Sequence, residues 1–142
     1  MRAARLLFVA PRRVEVGPVD LPEPGPGELL VRTSFSGIST GTELLAYRGL
    51  LDPDLPLDER LGALGGTFRY PFAYGYSCVG TVERGGGALA PGTTVFAFHP
   101  HQDRFVVAEG DVVALSPGTH PRGATLFPDI ETSLQRSLDA GE

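Results

Sequence analysis

Lysine and asparagine are absent from the 142 residues, and cysteine and methionine occur once each. A lone Cys78 excludes an internal disulfide and a cysteine-rich zinc site, and it fits a reducing compartment. Without lysine there can be no G-x-x-x-x-G-K-[ST] phosphate loop. Positive charge is scarce too: 12 arginines face 17 carboxylates, giving a net charge of −5, and the arginines form no stripe. Nucleic acid is therefore excluded as the main partner, because phosphate binding needs clustered cations. Long apolar runs are missing as well. Near the start only Leu6 to Ala10 is continuously apolar, too short for a signal peptide core or a membrane span. These absences predict a cytoplasmic protein with no membrane and no nucleic-acid partner.

What is abundant is glycine (19) and proline (13), in a chain that is 42% hydrophobic and 20% charged. That balance suits one globular core built from short strands and many turns. Ala4 to Val9 and Val14 to Val19, split by Ala10-Pro11-Arg12-Arg13, read as a hairpin. The stiff segment Leu21 to Gly27 reads as a surface connection, and Glu28 to Ser36 alternates as a central strand. Thr42 to Tyr47 suits one or two helical turns ended by Gly49. Asp52 to Tyr70 reads as a long loop over one end of a barrel, with a short helix at Pro56 to Leu64 and a Gly65-Gly66 stop. Cys78 to Glu83, Thr94 to Phe98, Phe105 to Ala108 and Val112 to Leu115 read as further strands. The expected fold is mainly β: a partly open barrel over residues 1–120, with short helices. A helical segment at 121–142 follows, with Ile130, Leu134 and Leu138 on one stripe.

Five segments together resemble the N-terminal, GroES-like catalytic domain of the medium-chain dehydrogenase/reductase superfamily. They are Leu21-Pro22-Glu23-Pro24-Gly25-Pro26-Gly27-Glu28-Leu29-Leu30-Val31-Arg32, the turn Ser36 to Glu43, Pro71 to Val82, Pro91-Gly92-Thr93-Thr94-Val95, and Phe105-Val106-Val107. They are similar to the family's P-x-P-G-P-G-E-V-L-V-R, G-I-C-G-T-D, P-x-x-x-G-H-E-x-x-G-x-V, P-G-D-R-V and A-E-Y-V-V motifs. The wording Ser-Gly-Ile-Ser-Thr-Gly-Thr-Glu looks most like the alcohol dehydrogenase-like, zinc-independent branch that includes bacteriochlorophyllide dehydrogenase. In zinc-dependent members the metal is held by the cysteine of G-I-C-G-T-D and the histidine of G-H-E. Here Ser39 or Thr40 stands for the cysteine, and Tyr76-Ser77 replaces the His-Glu pair. Neutral hydroxyls are poor zinc ligands, so no metal is expected.

Without a Lewis acid, a carbonyl must be polarised by positioned donors. The resemblance makes Tyr76, Ser39, Thr40, Thr42, Glu43 and His101 the catalytic candidates, and Thr40 and Thr132 the residues nearest a cofactor. Each has a plainer reading. Tyr76 ends the run Tyr70, Phe72, Tyr74, Tyr76, whose two-residue spacing would put four aromatics on one strand face. Ser39, Thr40 and Thr42 would cap the short helix, with Glu43 in its first turn. His99-Pro100-His101 reads as a polar hairpin tip, Asp103 and Arg104 as a solvated pair, and Glu131-Thr132 as a surface pair.

Gly85-Gly86-Gly87-Ala88-Leu89-Ala90 formally satisfies G-x-G-x-x-A, but Pro91-Gly92 and a strand follow it where a phosphate site needs a helix. NAD(P) would thus have to come from a Rossmann-type nucleotide-binding domain or subunit. Two functions follow. The chain is either the substrate-binding component of an NAD(P)-dependent alcohol or carbonyl oxidoreductase, inactive alone, or a stand-alone GroES-like binding or scaffold module. As a component it would take a small-molecule substrate and pair with that subunit or form a homo-oligomer. Its apolar contact surface is expected at Ile130, Leu134, Leu138 and at Leu50-Leu51.

Overall fold

The computed structural model of the chain describes residues 1–58, 65–85 and 87–125. Among the described residues, seven strands fall into two sheets. β1 (Arg2–Ala10) and β2 (Arg13–Asp20) form an antiparallel hairpin around Pro11-Arg12. β3 (Glu28–Ser36), β4 (Cys78–Gly85), β5 (Thr94–Ala97), β6 (Arg104–Ala108) and β7 (Val112–Ala114) form a curled antiparallel sheet in the order β6-β3-β4-β5-β7. Helix α1 (Thr42–Arg48) ends at Gly49 in the left-handed conformation, and α2 (Pro121–Ala124) is a single turn. Among the described residues no helix is long and apolar enough to cross a membrane. This is the expected mainly β, half-open barrel. The expected stripe Ile130, Leu134 and Leu138 lies outside the described residues, as does most of the expected helix at Pro56 to Leu64.

β3 is central, and its sequence shows why. Leu29, Leu30 and Val31 are consecutive and all almost fully buried, so both faces of the strand are covered. Strict alternation would have left one face wet. β4 lies unusually close to it at Gly80, where an added Cβ would sit 2.3 Å from the Arg32 carbonyl oxygen. Next to this contact the β3–β4 register slips between Thr33 and Phe35. Such a bulge turns the strand end, here the end carrying Ser36 into the following loop.

The core has two parts. Leu29, Val31, Cys78, Val82, Val95, Ala97 and Phe105 fill the curled sheet. Phe8, Ala46, Leu57, Phe68, Phe72 and Tyr74 form a second cluster where β1, α1 and the 65–76 segment meet. Phe8 stacks on Phe72 at 5.1 Å, and the Tyr70 hydroxyl donates to the Ala46 carbonyl at 2.7 Å. The aromatic run Tyr70, Phe72, Tyr74, Tyr76 therefore shares one side, as its spacing suggests, but it is not a strand. Its backbone makes one isolated bridge, Phe72 with Phe8, and its rings serve a side-chain cluster rather than a ladder.

Two further readings change. Asp103 and Arg104 do not pair with each other: the Asp103 carboxylate accepts from the Ala4 amide at 2.8 Å, while Arg104 forks onto Glu83 at 3.1 and 3.3 Å. Successive residues at a strand start point to opposite faces, which separates them. His99-Pro100-His101 is not a solvated hairpin tip either. Leu6 donates to the His101 carbonyl and Asp103 to the Ala4 carbonyl, each at 3.0 Å, so β1 clamps this segment against the body of the domain.

Candidate active site

Three chain segments converge at one end of the sheet: the loop after β3, the entry to β4 and the entry to β6. The β3 loop is held by the Gly37 amide, which donates to the Ser77 carbonyl at 2.8 Å. Ser77 is buried, and its hydroxyl donates to the Thr125 carbonyl at 2.6 Å. Ser39 accepts from the Gly41 amide through its hydroxyl at 3.2 Å, an ordinary loop turn. Thr40 is exposed at the tip of this turn, and Gly41 precedes α1 without any side-chain cap. The capping role considered for Ser39, Thr40 and Thr42 is thus not used.

Glu43 departs further from its plainer reading. It sits in the first turn of α1 but is only 2% exposed, where a dipole-favoured surface carboxylate would be wet. One carboxylate oxygen accepts from the Ser39 amide and the other meets His101 Nε2. The second ring nitrogen, Nδ1, meets the Ser36 hydroxyl. A carboxylate at Glu43 fixes the proton on Nε2. Ser36 then donates to Nδ1 when the ring is neutral and accepts from it when the ring is cationic. A buried carboxylate needs such partners, since an unmatched one would cost several kcal/mol.

Gly75 makes room for the ring. Its φ is +138°, and a Cβ there would lie 2.8 Å from His101 Nε2. The position therefore excludes side chains on two counts, backbone strain and collision. Cys78 closes the inner side. Its thiol donates to the carbonyls of His99 and Pro100 at 3.4 Å each and lies 3.8 Å from Ser36 Oγ. Burial pushes it up to about 11, so it is a neutral thiol.

Tyr74 feels Glu43, and Tyr76 lies against Tyr74. Burial first, then the neighbouring Tyr76, Glu43 and Asp58, pushes the Tyr74 phenol up from 10.0 to about 12, against a hydrogen bond with Thr42 that pulls the other way. Tyr76 packs edge-on to Tyr74 at 6.2 Å and is half-buried. His99 takes a different path from His101, contrary to the same-side geometry of an extended i, i+2 pair. Its ring stacks on Phe105 at 4.1 Å and Nδ1 donates to the Pro100 carbonyl at 2.9 Å. Burial holds its pKa below the usual 6.5, so it is neutral near pH 7.

The structure thus brings Ser39, Thr42, Glu43, Tyr76 and His101 into one neighbourhood, with Thr40 on its exposed rim. Thr132 lies outside the described residues. Sequence reasoning missed Ser36, Tyr74 and Gly75. A glycine immediately before Tyr76-Ser77 was the available signal for Gly75; nothing local marks Ser36 as the partner of a histidine 65 residues away. Ser39, Thr40 and Tyr76 offer only neutral hydroxyls, and Glu43 and His101 engage each other. Among the described residues no group of three His, Cys, Asp or Glu side chains is placed to hold a metal ion. Nor do they offer a dinucleotide cradle: β4 leads through the glycine turn into β5, with no helix N-terminus behind the glycines.

No family model matches the chain. It is 30% identical over 141 residues to the 2-desacetyl-2-hydroxyethyl bacteriochlorophyllide A dehydrogenase of Rhodobacter capsulatus, an alignment covering 89% of this chain and 41% of that protein. The human synaptic vesicle membrane protein VAT-1 homolog-like protein superposes with a TM-score of 0.67 at 19% identity, over 90% of this chain and 40% of that one. A short chain alcohol dehydrogenase from Escherichia coli complexed with NADH superposes with a TM-score of 0.62 at 15% identity, over 88% of this chain and 42% of the other. In each case the chain spans about two fifths of the protein it resembles.

Proposed function

We propose that this chain, a GroES-like domain of the medium-chain dehydrogenase/reductase type, forms the substrate side of a zinc-independent NAD(P)-dependent oxidoreductase acting on an alcohol or carbonyl. The single observation that carries this reading is the buried Glu43–His101–Ser36 chain. Ser36 and Glu43 flank Ser39 and Thr40, the positions that stand for the zinc-ligating cysteine in the resemblance, and His101 links them across the cleft. The nucleotide is held outside the described residues, by a Rossmann-type domain or subunit. The nicotinamide bound there would supply or accept the hydride.

The chain's own residues handle the proton and the oxygen. Reducing a carbonyl leaves negative charge on its oxygen, and hydroxyls aimed at that atom stabilise it in a dry site. Tyr76 and Thr42 are the donors in this reading, with Tyr74 behind them tying Thr42 into the aromatic cluster. The proton passes into the site through Ser36, whose hydroxyl meets His101 Nδ1, while Glu43 holds the ring from Nε2. Ser39 acts as a positioning residue, because its amide fixes Glu43. Thr40, exposed on the rim, is the residue offered to the incoming nucleotide domain. The setting proposed is cytoplasmic, with the chain inactive alone.

The test mixes the purified chain with the nucleotide-binding polypeptide encoded beside it and follows NAD(P)H oxidation against a panel of aldehydes and ketones. Turnover that needs both polypeptides and falls on the order of 100-fold in His101→Ala supports the reading, that being the usual size of a general acid–base contribution. Tight NADH or NADPH binding by the chain alone, or turnover untouched by His101→Ala, refutes it.

A further inference from the structure

A second feature lies on the other side of the His99–Gln102 segment from the Glu43–His101 pair. A cleft of about 350 Å³ opens there between β1, the 65–73 segment and the entry to β6. Arg5, Arg69, Thr67, His99 and Gln102 supply its polar wall. No Asp or Glu lines it among the described residues, although the protein as a whole carries a net charge of −5. Of its two guanidinium groups, Arg69 is paired with Asp54, so Arg5 is the one that meets no carboxylate among the described residues.

Arg5 is the unusual member. It projects from β1 where that strand bridges Gln102, and its Nε is buried with no hydrogen-bond partner. It forms no ion pair with a described residue, whereas Arg69 is tied to Asp54. A guanidinium partly out of water with no ion pair among the described residues is costly, and an anion in the cleft that Arg5 lines offsets part of that cost. His99, with Nδ1 donating to the Pro100 carbonyl, offers only an acceptor nitrogen and gives a carboxylate no hydrogen bond, so the donors in the lining are Arg5, Thr67 and Gln102. A planar fork beside neutral polar groups suits a carboxylate better than a tetrahedral dianion.

We propose that this cleft is a binding site for the carboxylate of a small organic acid, with Arg5 as its counter-ion and Arg69, Thr67 and Gln102 at its mouth. The site does not depend on the hydride chemistry and needs no nucleotide.

The test is calorimetric titration of the full chain with succinate, with inorganic phosphate and with sodium chloride as the ionic-strength control, backed by thermal unfolding. Saturable succinate binding is expected, with a dissociation constant on the order of 1 mM, as a ligand of so few atoms allows. It should weaken roughly tenfold or more in Arg5→Gln and a few-fold in the exposed Arg69→Gln, which is the readout if the first variant does not fold. No saturable succinate heat, phosphate binding as tight as succinate, or affinity unchanged in whichever arginine variant folds overturns the proposal.

Discussion

Replacing Gly75 by alanine separates two costs that the site imposes at one position. The first is conformational: at φ +138° an L-residue pays about 1–3 kcal/mol. The second is steric, because the new methyl lands 2.8 Å from His101 Nε2 and 2.9 Å from its neighbouring ring carbon. The ring cannot retreat far, being held between Ser36 and Glu43, so it must leave the carboxylate. Breaking a buried pair this way costs about 3–5 kcal/mol, less whatever Glu43 recovers from the Ser39 amide. Gly92→Ala is the control. Its φ is +94°, and an added Cβ meets nothing within 4 Å, so it pays the backbone cost alone. The difference between the two variants should be about 2–4 kcal/mol by denaturant unfolding, or a Tm gap of roughly 5–15 °C for a domain of this size. Thermal melts by circular dichroism measure it, and the His101 ring resonances report whether the imidazole has moved. Equal destabilisation by Gly75→Ala and Gly92→Ala would refute the packing of Gly75 against His101.

Three other outcomes follow from the same geometry. Gly80→Ala should fail to fold or lose more than about 3 kcal/mol, since its Cβ would lie 2.3 Å from the Arg32 backbone oxygen and neither strand can yield without breaking the ladder; expression and urea unfolding test this. His99 has its pKa held down by burial, so the unfolded chain takes up a proton that the folded chain refuses. Stability is then complete above about pH 6.5 and falls as the pH drops through the folded value, by up to about 1.4 kcal/mol per pH unit; His99→Phe should flatten that limb of a pH–stability curve. Tyr74 acts at the other end. With its phenol raised to about 12, the contribution is full below pH 10 and lost as pH rises from 10 towards 12, roughly 2–3 kcal/mol in all, and Tyr74→Phe should remove it.

Much of the fold was legible because its signals are local. The hairpin around Pro11-Arg12, the strand after the proline-rich connection and the Gly49 stop of α1 all lie where turn chemistry and periodicity put them. The site was legible by position and illegible by connection. Glu43 and His101 could each be singled out, but the plainer readings made Glu43 a helix-dipole carboxylate and His101 a loop residue. Both failed for one reason: their partner is 58 residues away, and only the curled sheet brings the β6 entry against α1. The same long-range closure turned the aromatic run at 70–76 from an apparent strand face into a cluster on Phe8. The arginine cleft has no sequence signature at all, because Arg5 and Arg69 are 64 residues apart and only folding brings both to its lining.

In the proposed reaction the substrate oxygen is served by hydroxyls backed by the buried His101–Glu43 pair, not by a metal. NAD(P)H turnover of the chain combined with a Rossmann-type nucleotide-binding polypeptide, before and after exhaustive dialysis against a chelator and with Glu43→Gln run alongside, tests this. Unchanged turnover after dialysis together with a large loss in Glu43→Gln is the predicted result. Turnover that vanishes with the chelator and returns with added zinc would contradict the account.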